Sequence, residues 1–473
     1  MASEIRVNKI THTAGVGTIT TSADGIVVVG IVTANNFTGS GANLTSLPAG
    51  QLTGTVADAR LSTVSSSKLS GALPALDGSA LTGVGHSFGN SSVNTSGIIT
   101  ATAFVPTTQG SLSHRNIIIN GAMMVAQRGT SSTSSGFHTV DRFNVQFGGT
   151  DEAMTVEQAN VASGTTPYTL GFLKCLKVTN GNQTSGAGGG DWLEIYQYLE
   201  DQDICNSGWN FKSATSYLTI SFWVKSSVSQ KFAGFFYTNT AGQGDSYTYS
   251  YQIDNGSGGN LSANTWTKIT HTIPGSSSLT FNNDNTKGLA VGIFPFDGTD
   301  YTTSGHTEET WQQWSSGNKL KDMDSTWWTT NDATFELTGL QLEVGPVATP
   351  FEHLSYANQL RRCQRYYCRI TPSNNAFYGV GNIDGGNQSQ ILVTFPTEMR
   401  GRPTSIETTG TPSNYILRVT SNVTCTSVPQ LDICTTTNAL VVPYANGHGF
   451  TDKSGAFLRA NGDASFLGFS AEL

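Results

Sequence analysis

Between Tyr217 and Ser227 the chain reads YLTISFWVKSS, and four later stretches share its texture: KFAGFFYTNT (231–240), SYTYSYQID (246–254), TWTKITHTI (265–273) and GLAVGIFPF (288–296). Apolar residues either alternate with polar ones at period two or run together in aromatic-rich groups. Clusters of Gly, Asn, Asp and Pro separate the runs. Many short strands at such spacing predict two packed antiparallel sheets with a core of their own.

The composition agrees. Of 473 residues only 12% are charged, while 53 are Gly, which suits strands and turns better than salt-bridged helices. The formal net charge of -8 argues against a general electrostatic grip on nucleic acid or anionic lipid, so no nucleic-acid partner is expected. The opening MASEIRVNKITHTAG has charges at Glu4, Arg6 and Lys9 and no apolar run behind them, so it does not read as a secretory signal. The longest apolar-looking stretch, GIVVVGIVTA (25–34), is about half of the ~20 residues that span a bilayer, and no membrane insertion is expected. Six cysteines (Cys175, Cys205, Cys363, Cys368, Cys425 and Cys434) without a CxxC pair read mostly as reduced thiols.

The first quarter has a different texture. GIVTANNF (30–37) returns as GIITATAF (97–104), and between them apolar residues stand singly, among them Leu44, Leu47, Leu52, Leu73, Leu76 and Leu81. Gly, Ser, Thr and Pro fill the gaps and disfavour a long helix, while GANLTSL, GQLTGTV and GSALTGV echo one another as a repeat. One narrow apolar stripe cannot enclose a core, and ordering it costs roughly 1–2 kcal/mol per residue. Copies of the same chain winding about a common axis would supply the missing walls; a Gly/Ser-type linker is the alternative.

The phrases MASEIRVNKI, GIVTANNFTGSGANLTSLPAGQLTGTVADARL and LSGALPALDGSALTGV resemble the shaft of bacteriophage tail fibres, particularly those of marine cyanophages. HRNIIINGAMMVAQRGTSSTSSGFHTVDRFNV (114–145) is similar to the start of a jelly-roll domain found in many phage fibres and related to carbohydrate-binding modules, and ATFELTGLQLEVGPVATPFEH (333–353) closes it. ATPFEHLSYANQLRRCQRYY resembles the segment that follows that domain in such fibres. The resemblance implies an elongated, homotrimeric virion protein concerned with attachment. The expected architecture is mostly β. It comprises an N-terminal attachment and trimeric repeat shaft (1–113), a jelly-roll β-sandwich (114–352), a helical collar (353–370) and a small C-terminal β domain, the tip (371–473).

Glycans are recognised by aromatic faces and by amides and carboxylates that bond hydroxyls. The densest such cluster is DGTDYTTSGHTEETWQQWSSGNKLKDMDSTWWTTND (297–332), offering Tyr301, Trp311, Trp314, Asp322, Trp327 and Trp328 in a polar stretch that interrupts the strand rhythm. The alternative is that two of these Trp plug the sandwich end. Trp192, Trp209, Trp223 and Trp266, in or beside strand-like runs, read as core. Tyr378, Tyr444 and His448 are polar-aromatic loop residues of the C-terminal domain that would meet a receptor, or are ordinary surface loops.

FEHLSYANQLRRCQRYYCRI (351–370) is the best helix candidate, with Ser355 placed to cap it and Tyr356, Leu360, Cys363 and Tyr367 on one face, offered as an oligomer contact. Arg361, Arg362, Arg365 and Arg369 read as a solvated surface, a contact to a neighbour's acids or a phosphate-binding patch. Glu200, Asp201 and Asp203, or Asp322 and Asp324, could ligate calcium, but no EF-type spacing is present and turn acids are the preferred reading. HExxH and GxSxG are absent, and GVGNIDGG (379–386) lacks the Lys-Ser/Thr of a phosphate loop.

No catalytic residue, metal or cofactor is therefore expected, and the chain is not expected to be an enzyme. The reading is a tail fibre, made in the host cytoplasm and carried on the virion. Its expected partners are tail or baseplate proteins through the N-terminal region, and host polysaccharide or lipopolysaccharide. A head fibre or other decoration protein, and a polysaccharide-degrading tailspike, are the alternatives.

Overall fold

The computed structural model describes residues 19–22, 25–28, 31–33, 35, 36, 38, 45, 46, 114–238, 246–446 and 451–473. The chain divides into two compact units, Met1–Thr100 and Ala101–Leu473. In the first, β1 (Ile19–Ser22) and β2 (Gly25–Val28) pair antiparallel with Ile19 opposite Val28. Leu44, Leu47, Leu52, Leu73, Leu76 and Leu81, and with them the test of a repeat shaft, lie outside the described residues.

The second unit is mostly β, as the sequence reading holds. Its larger part is a sandwich of two six-stranded antiparallel sheets. One sheet contains β4 (Asn144–Gly148), β7 (Trp192–Glu200), β12 (Lys287–Asp297), β9 (Phe232–Thr238), β10 (Tyr247–Ile253) and β13 (Gln312–Gln313), in that order across the sheet. The other runs β3 (Ser131–Ser132), β5 (Thr155–Asn160), β6 (Lys174–Thr179), β14 (Thr334–Val344), β8 (Tyr217–Ser226) and β11 (Thr267–Pro274). Along β8 the inward set is Leu218, Ile220, Phe222 and Val224, all at or below 1% exposure; on the other face Thr219 and Ser221 are buried as well, while Tyr217, Trp223 and Lys225 are half-buried. β14 continues past a bulge between Thr338 and Gln341 by placing Gly339 at φ +65°, where a Cβ would stand 2.8 Å from the Phe172 ring.

β9 and β12 do not alternate, because both of their faces are covered. Inside lie Phe236, Val291 and Ile293. On the far side Phe235, Ala290 and Phe294 join Tyr196 beneath Leu320 and Met323, which arrive on the segment following β12. That segment is held by Lys319, whose ammonium bonds Glu194 and sits 3.0 Å from Asp297 Oδ2. Burial pushes the Asp297 carboxyl well above its usual range and Glu194 pushes it further, against the pull of Lys319.

After the sandwich, Ser355 caps the helix Tyr356–Gln364 by accepting from Asn358 N at 3.4 Å. β15 (Tyr367–Ile370), β24 (Leu467–Ser470) and β18 (Ile406–Thr408) form a three-stranded sheet. A seven-stranded sheet runs β20 (Asn422–Thr424), β19 (Tyr415–Arg418), β23 (Gly455–Ala460), β16 (Phe377–Ile383), β17 (Ser389–Thr394), β22 (Asn438–Tyr444) and β21 (Ser427–Cys434). They share a core that includes Ile391, Val393, Leu417, Val441, Leu458 and Phe469.

The helix corrects two of the residues offered as oligomer contacts. Cys363, fully buried, packs with Ile119, Val125 and Tyr366 of its own chain, and Leu360 lies against the same cluster. Tyr367 is no longer helical: it opens β15, is fully buried, donates to Glu407 Oε2 at 2.7 Å and carries the Arg128 guanidinium 3.4 Å over its ring. Only Tyr356 stays largely exposed. The helix spends its apolar face on the sandwich, so little of it remains for a neighbour.

Its arginines are also occupied. Arg365 forks onto Glu200 through Nε and Nη2, both at 2.7 Å, Arg369 donates to the carbonyls of Gln127 and Arg128, and Arg362 donates to Asn116 O. Arg361 is exposed. All six cysteines are free thiols. Among the described residues no helix is long and apolar enough to cross a membrane.

Candidate ligand cleft

β11 is the edge strand of one sheet, and it faces β10, which is covered in the other sheet only at Tyr247 and Thr248 by the short edge strand β13. A cleft of about 540 Å³ lies there, with Gln252, Asp254, Lys268, Thr270, His271, Glu308 and Glu309 in its wall. A second, of about 250 Å³, adjoins it and shares Gln252 and Glu308, adding Lys231, Lys321, Asp322 and Asp324. Both fall near the range of small-molecule sites or just below it.

Local packing explains why these side chains converge. β10 turns Tyr249 and Tyr251 inward and Gln252 outward. His271 occupies an inward position of β11 between Ile269 and Ile273, but at the sheet edge, where it stacks on Tyr251 with ring centroids 4.3 Å apart and meets the Tyr249 hydroxyl at 3.1 Å. Burial holds the His271 pKa below its ordinary value, Glu309 acting against it. The ring is thus neutral around pH 7 and serves as a hydrogen-bonding group.

Glu309 sits in left-handed backbone (φ +59°), and its N–H donates to Ser250 O at 2.8 Å. This pins the loop to β10. Gln252 Nε2 then donates to Glu308 Oε2 at 3.0 Å while Gln252 Oε1 accepts from Lys231 Nζ at 3.1 Å. His306, buried, knits the same loop: Asn318 Oδ1 lies 2.9 Å from Nδ1 and Ser250 Oγ 2.7 Å from Nε2. The result is a row of carboxylates, amide and ammonium groups on a fixed strand and a pinned loop.

The sequence candidates divide around this cleft. Asp322 lines its smaller part, exposed, and accepts from Thr302 Oγ1 at 3.0 Å. Trp311 is half-buried behind it, its Nε1 donating to Pro274 O at 2.7 Å and its ring 5.4 Å from Tyr249. Trp314 and Tyr301 are half-buried elsewhere on the same segment. The first lies 6.0 Å from the Tyr237 ring, and the second lies under the Lys319 ammonium at 4.5 Å.

Trp327 and Trp328 do not belong to a surface platform: both are fully buried on the short helix Thr326–Thr329 in the sandwich core. Tyr378 is buried in the C-terminal core, Tyr444 is half-buried on β22, and His448 lies outside the described residues. Of the tryptophans read as core, Trp209 is buried, whereas Trp192, Trp223 and Trp266 are half-buried.

Glu200 is committed to Arg365 and to the Tyr366 hydroxyl (2.6 Å), and Asp201 Oδ2 accepts from Asn282 N. Among the described residues no group of three His, Cys, Asp or Glu is arranged to hold a metal ion. His271, Lys268, Asp254 and Gln252 were not singled out by sequence. The available signal was a histidine at an inward position of an otherwise aliphatic strand face.

No family model matches the chain, and no curated protein does. Among solved structures it is similar to the enzymatically active domain of tailspike protein 4 of bacteriophage CBA120, at 12% identity over 48% of this chain and 21% of that one, TM-score 0.27. It is also similar to the N-terminal cellulose-binding domain of Cellulomonas fimi β-1,4-glucanase C, at 10% identity over 48% of this chain and 99% of that one, TM-score 0.21. A third is the family 11 carbohydrate-binding module of a Clostridium thermocellum cellulase, at 14% identity over 46% and 96%, TM-score 0.21. The chain thus spans about a fifth of the tailspike. These likenesses are distant, and the functional reading rests on the cleft.

Proposed function

We propose that this chain is a virion attachment protein, a tail fibre, whose sandwich binds a host-surface glycan in the cleft between β10, β11 and the Glu308–Glu309 loop, without cleaving it. The observation that carries the binding is the composition of the cleft wall. Acceptors (Asp254, Glu308, Glu309, Asp322) and donors (Lys231, Lys268, Gln252) line two adjoining depressions that share Gln252 and Glu308 and together have a size for a small ligand. Neighbouring hydroxyls of a sugar need this mixture, because each hydroxyl both donates and accepts. The virion context is supported by the fibre-like phrases of residues 30–84 and by the segment that joins sandwich to helix.

The test is retention of the full chain on host surface polysaccharide. Glu308→Gln and Asp322→Asn each remove a charged acceptor worth about 1.5–3 kcal/mol, so retention should fall roughly 10- to 100-fold with the fold intact. Wild-type retention unchanged in both variants would remove the cleft from consideration. Shortened polysaccharide after incubation would reject binding without cleavage and favour the spike enzyme.

A further inference from the structure

One face of the seven-stranded sheet packs on the C-terminal core; the other carries an apolar row that nothing in the described residues covers. The strand register lines it up: Phe457 opposite Val380, Val380 opposite Leu392, Leu392 opposite Leu440 and Leu440 opposite Ile433. Val380, Leu392, Ile433 and Phe457 are 54%, 45%, 63% and 39% exposed, and Phe377, 54% exposed, widens the row with its ring 5.0 Å from that of Phe457. Apolar side chains on an outer sheet face normally alternate with polar neighbours across the strands. Here five adjacent strands place one in the same lateral row. Polar residues such as Asn382, Gln390 and Thr394 lie on either side of it.

We infer that this face is where copies of this chain meet one another. The charge arrangement selects that partner. At one end of the row stands Arg418, opposite Phe457, and at the other Asp432, beside Ile433; both are exposed. Two copies laid face to face about a two-fold axis bring each Arg418 to the other's Asp432. Three faces turned toward a three-fold axis do the same at every corner. The size fits as well. Seven strands about 4.8 Å apart and some six residues long present a face of roughly 600 Å², close to the ~800 Å² that each partner contributes to a standard interface. An apolar row with a polar border is how such an interface is built.

Arg418 and Asp432 are five strand spacings apart, roughly 24 Å, far beyond the ~4–7 Å Cα separation that a disulfide needs. In the full chain carrying Arg418→Cys and Asp432→Cys together, mild oxidation should therefore link different copies by disulfides, giving on a non-reducing gel a species at two or three times the 50.1 kDa chain mass that reductant returns to the single chain. Neither single variant should give it, and adding Leu392→Lys should reduce it at least tenfold while the monomer's circular dichroism and melting stay unchanged. A monomer-only pattern from the double variant overturns the inference. So does cross-linking that either single variant reproduces, or that survives Leu392→Lys.

Discussion

Replacing Trp327 with Ala should destabilise the sandwich rather than blunt its binding. The side chain is fully buried among residues of both sheets, its Nε1 donates to Thr334 O at 3.1 Å, and its backbone N–H donates to Gln230 Oε1 at 2.7 Å. A buried Trp removes about 200 Å² from water, which at ~25 cal/mol per Å² is about 5 kcal/mol, and measured truncations of this kind cost about 3–5 kcal/mol. Ala keeps the backbone bond to Gln230, and the Thr334 carbonyl keeps its bond from Ser227 N at 3.0 Å, so the loss is that of the buried indole and its cavity. A domain of ordinary stability holds only about 5–15 kcal/mol in total. With a urea slope near 3 kcal/mol per M, the midpoint should drop by about 1–2 M. Trp328→Phe is the internal scale. It keeps an aromatic ring beside Phe296, whose centroid lies 4.9 Å from that of Trp328, and loses the Nε1 bond to Gly186 O with part of the indole volume, a cost of about 1–3 kcal/mol. Urea titration followed by near-ultraviolet circular dichroism gives both numbers. A Trp327→Ala protein with wild-type midpoint and lost glycan retention would refute the reasoning and restore Trp327 to the surface.

Two further outcomes concern titration. Burial raises the Asp141 carboxyl from 3.8 to about 6 despite bonds from Gln127. The folded state then holds a proton that the unfolded chain has released, so stability falls by about 3 kcal/mol as pH rises from below 4 to above 6. Asp141→Asn should remove that portion of the slope in pH-dependent urea midpoints, and an unchanged slope would show that Asp141 is not the group responsible. Glu200 behaves oppositely: burial opposes its charge, but bonds from Arg365 and Tyr366 overcome this and hold its pKa below the usual value. Its contribution is present above about 4.5 and is lost as pH falls through the folded pKa. Glu200→Gln should cost about 2–3 kcal/mol at pH 7 and flatten the acid limb of the stability curve, less than a wholly buried pair because Arg365 is partly hydrated. Wild-type acid sensitivity in that variant would count against the assignment.

Particular residues show what the sequence made legible. The β8 run could be read because its inward positions are all apolar while Thr219, Ser221 and Lys225 stand on the other face, so period two survives in the text even where that face is covered. The cap at Ser355 was legible because capping is local: the residue and the N–H it accepts from are three positions apart. Trp327 and Trp328 misled for the converse reason. They sit in the polar phrase DMDSTWWTTND, and what allows them inside comes from far away. Asn180 Nδ2 lies within hydrogen-bond range of the carbonyls of Trp327, Trp328 and Thr330, and Gln230 takes the Trp327 N–H. The cleft was illegible on the same ground. Its wall joins a strand edge at 252–254, another at 268–271 and a loop at 308–309, and no periodicity in any of these segments announces the meeting.

The scarcity of charge in this chain gives its ion pairs a specific use. Arg142 is wholly buried, bonds Glu472 near the C-terminal end, donates to Tyr198 O at 2.5 Å and lies 3.4 Å over the Tyr366 ring. Arg128 reaches Glu407 at 3.3 Å and Glu472 at 3.5 Å, and Arg400 exchanges bonds with Asn285. Each of these joins the sandwich to the segment after it. A buried pair is a poor source of net stability, because desolvation offsets most of the attraction, but displacing one partner by an ångström or two exposes the full cost of the other. Apolar contact alone would tolerate sliding between the sandwich and the C-terminal sheets. Two arginines seated on carboxylates and a third, Arg400, bonded to the carbonyls of Asn285, Ala471 and Glu472 do not. Residues 114–473 therefore behave as one block in which the orientation of the cleft relative to the apolar sheet face is fixed by chemistry rather than by linker length, and copies joined at that face would present their clefts at a set spacing.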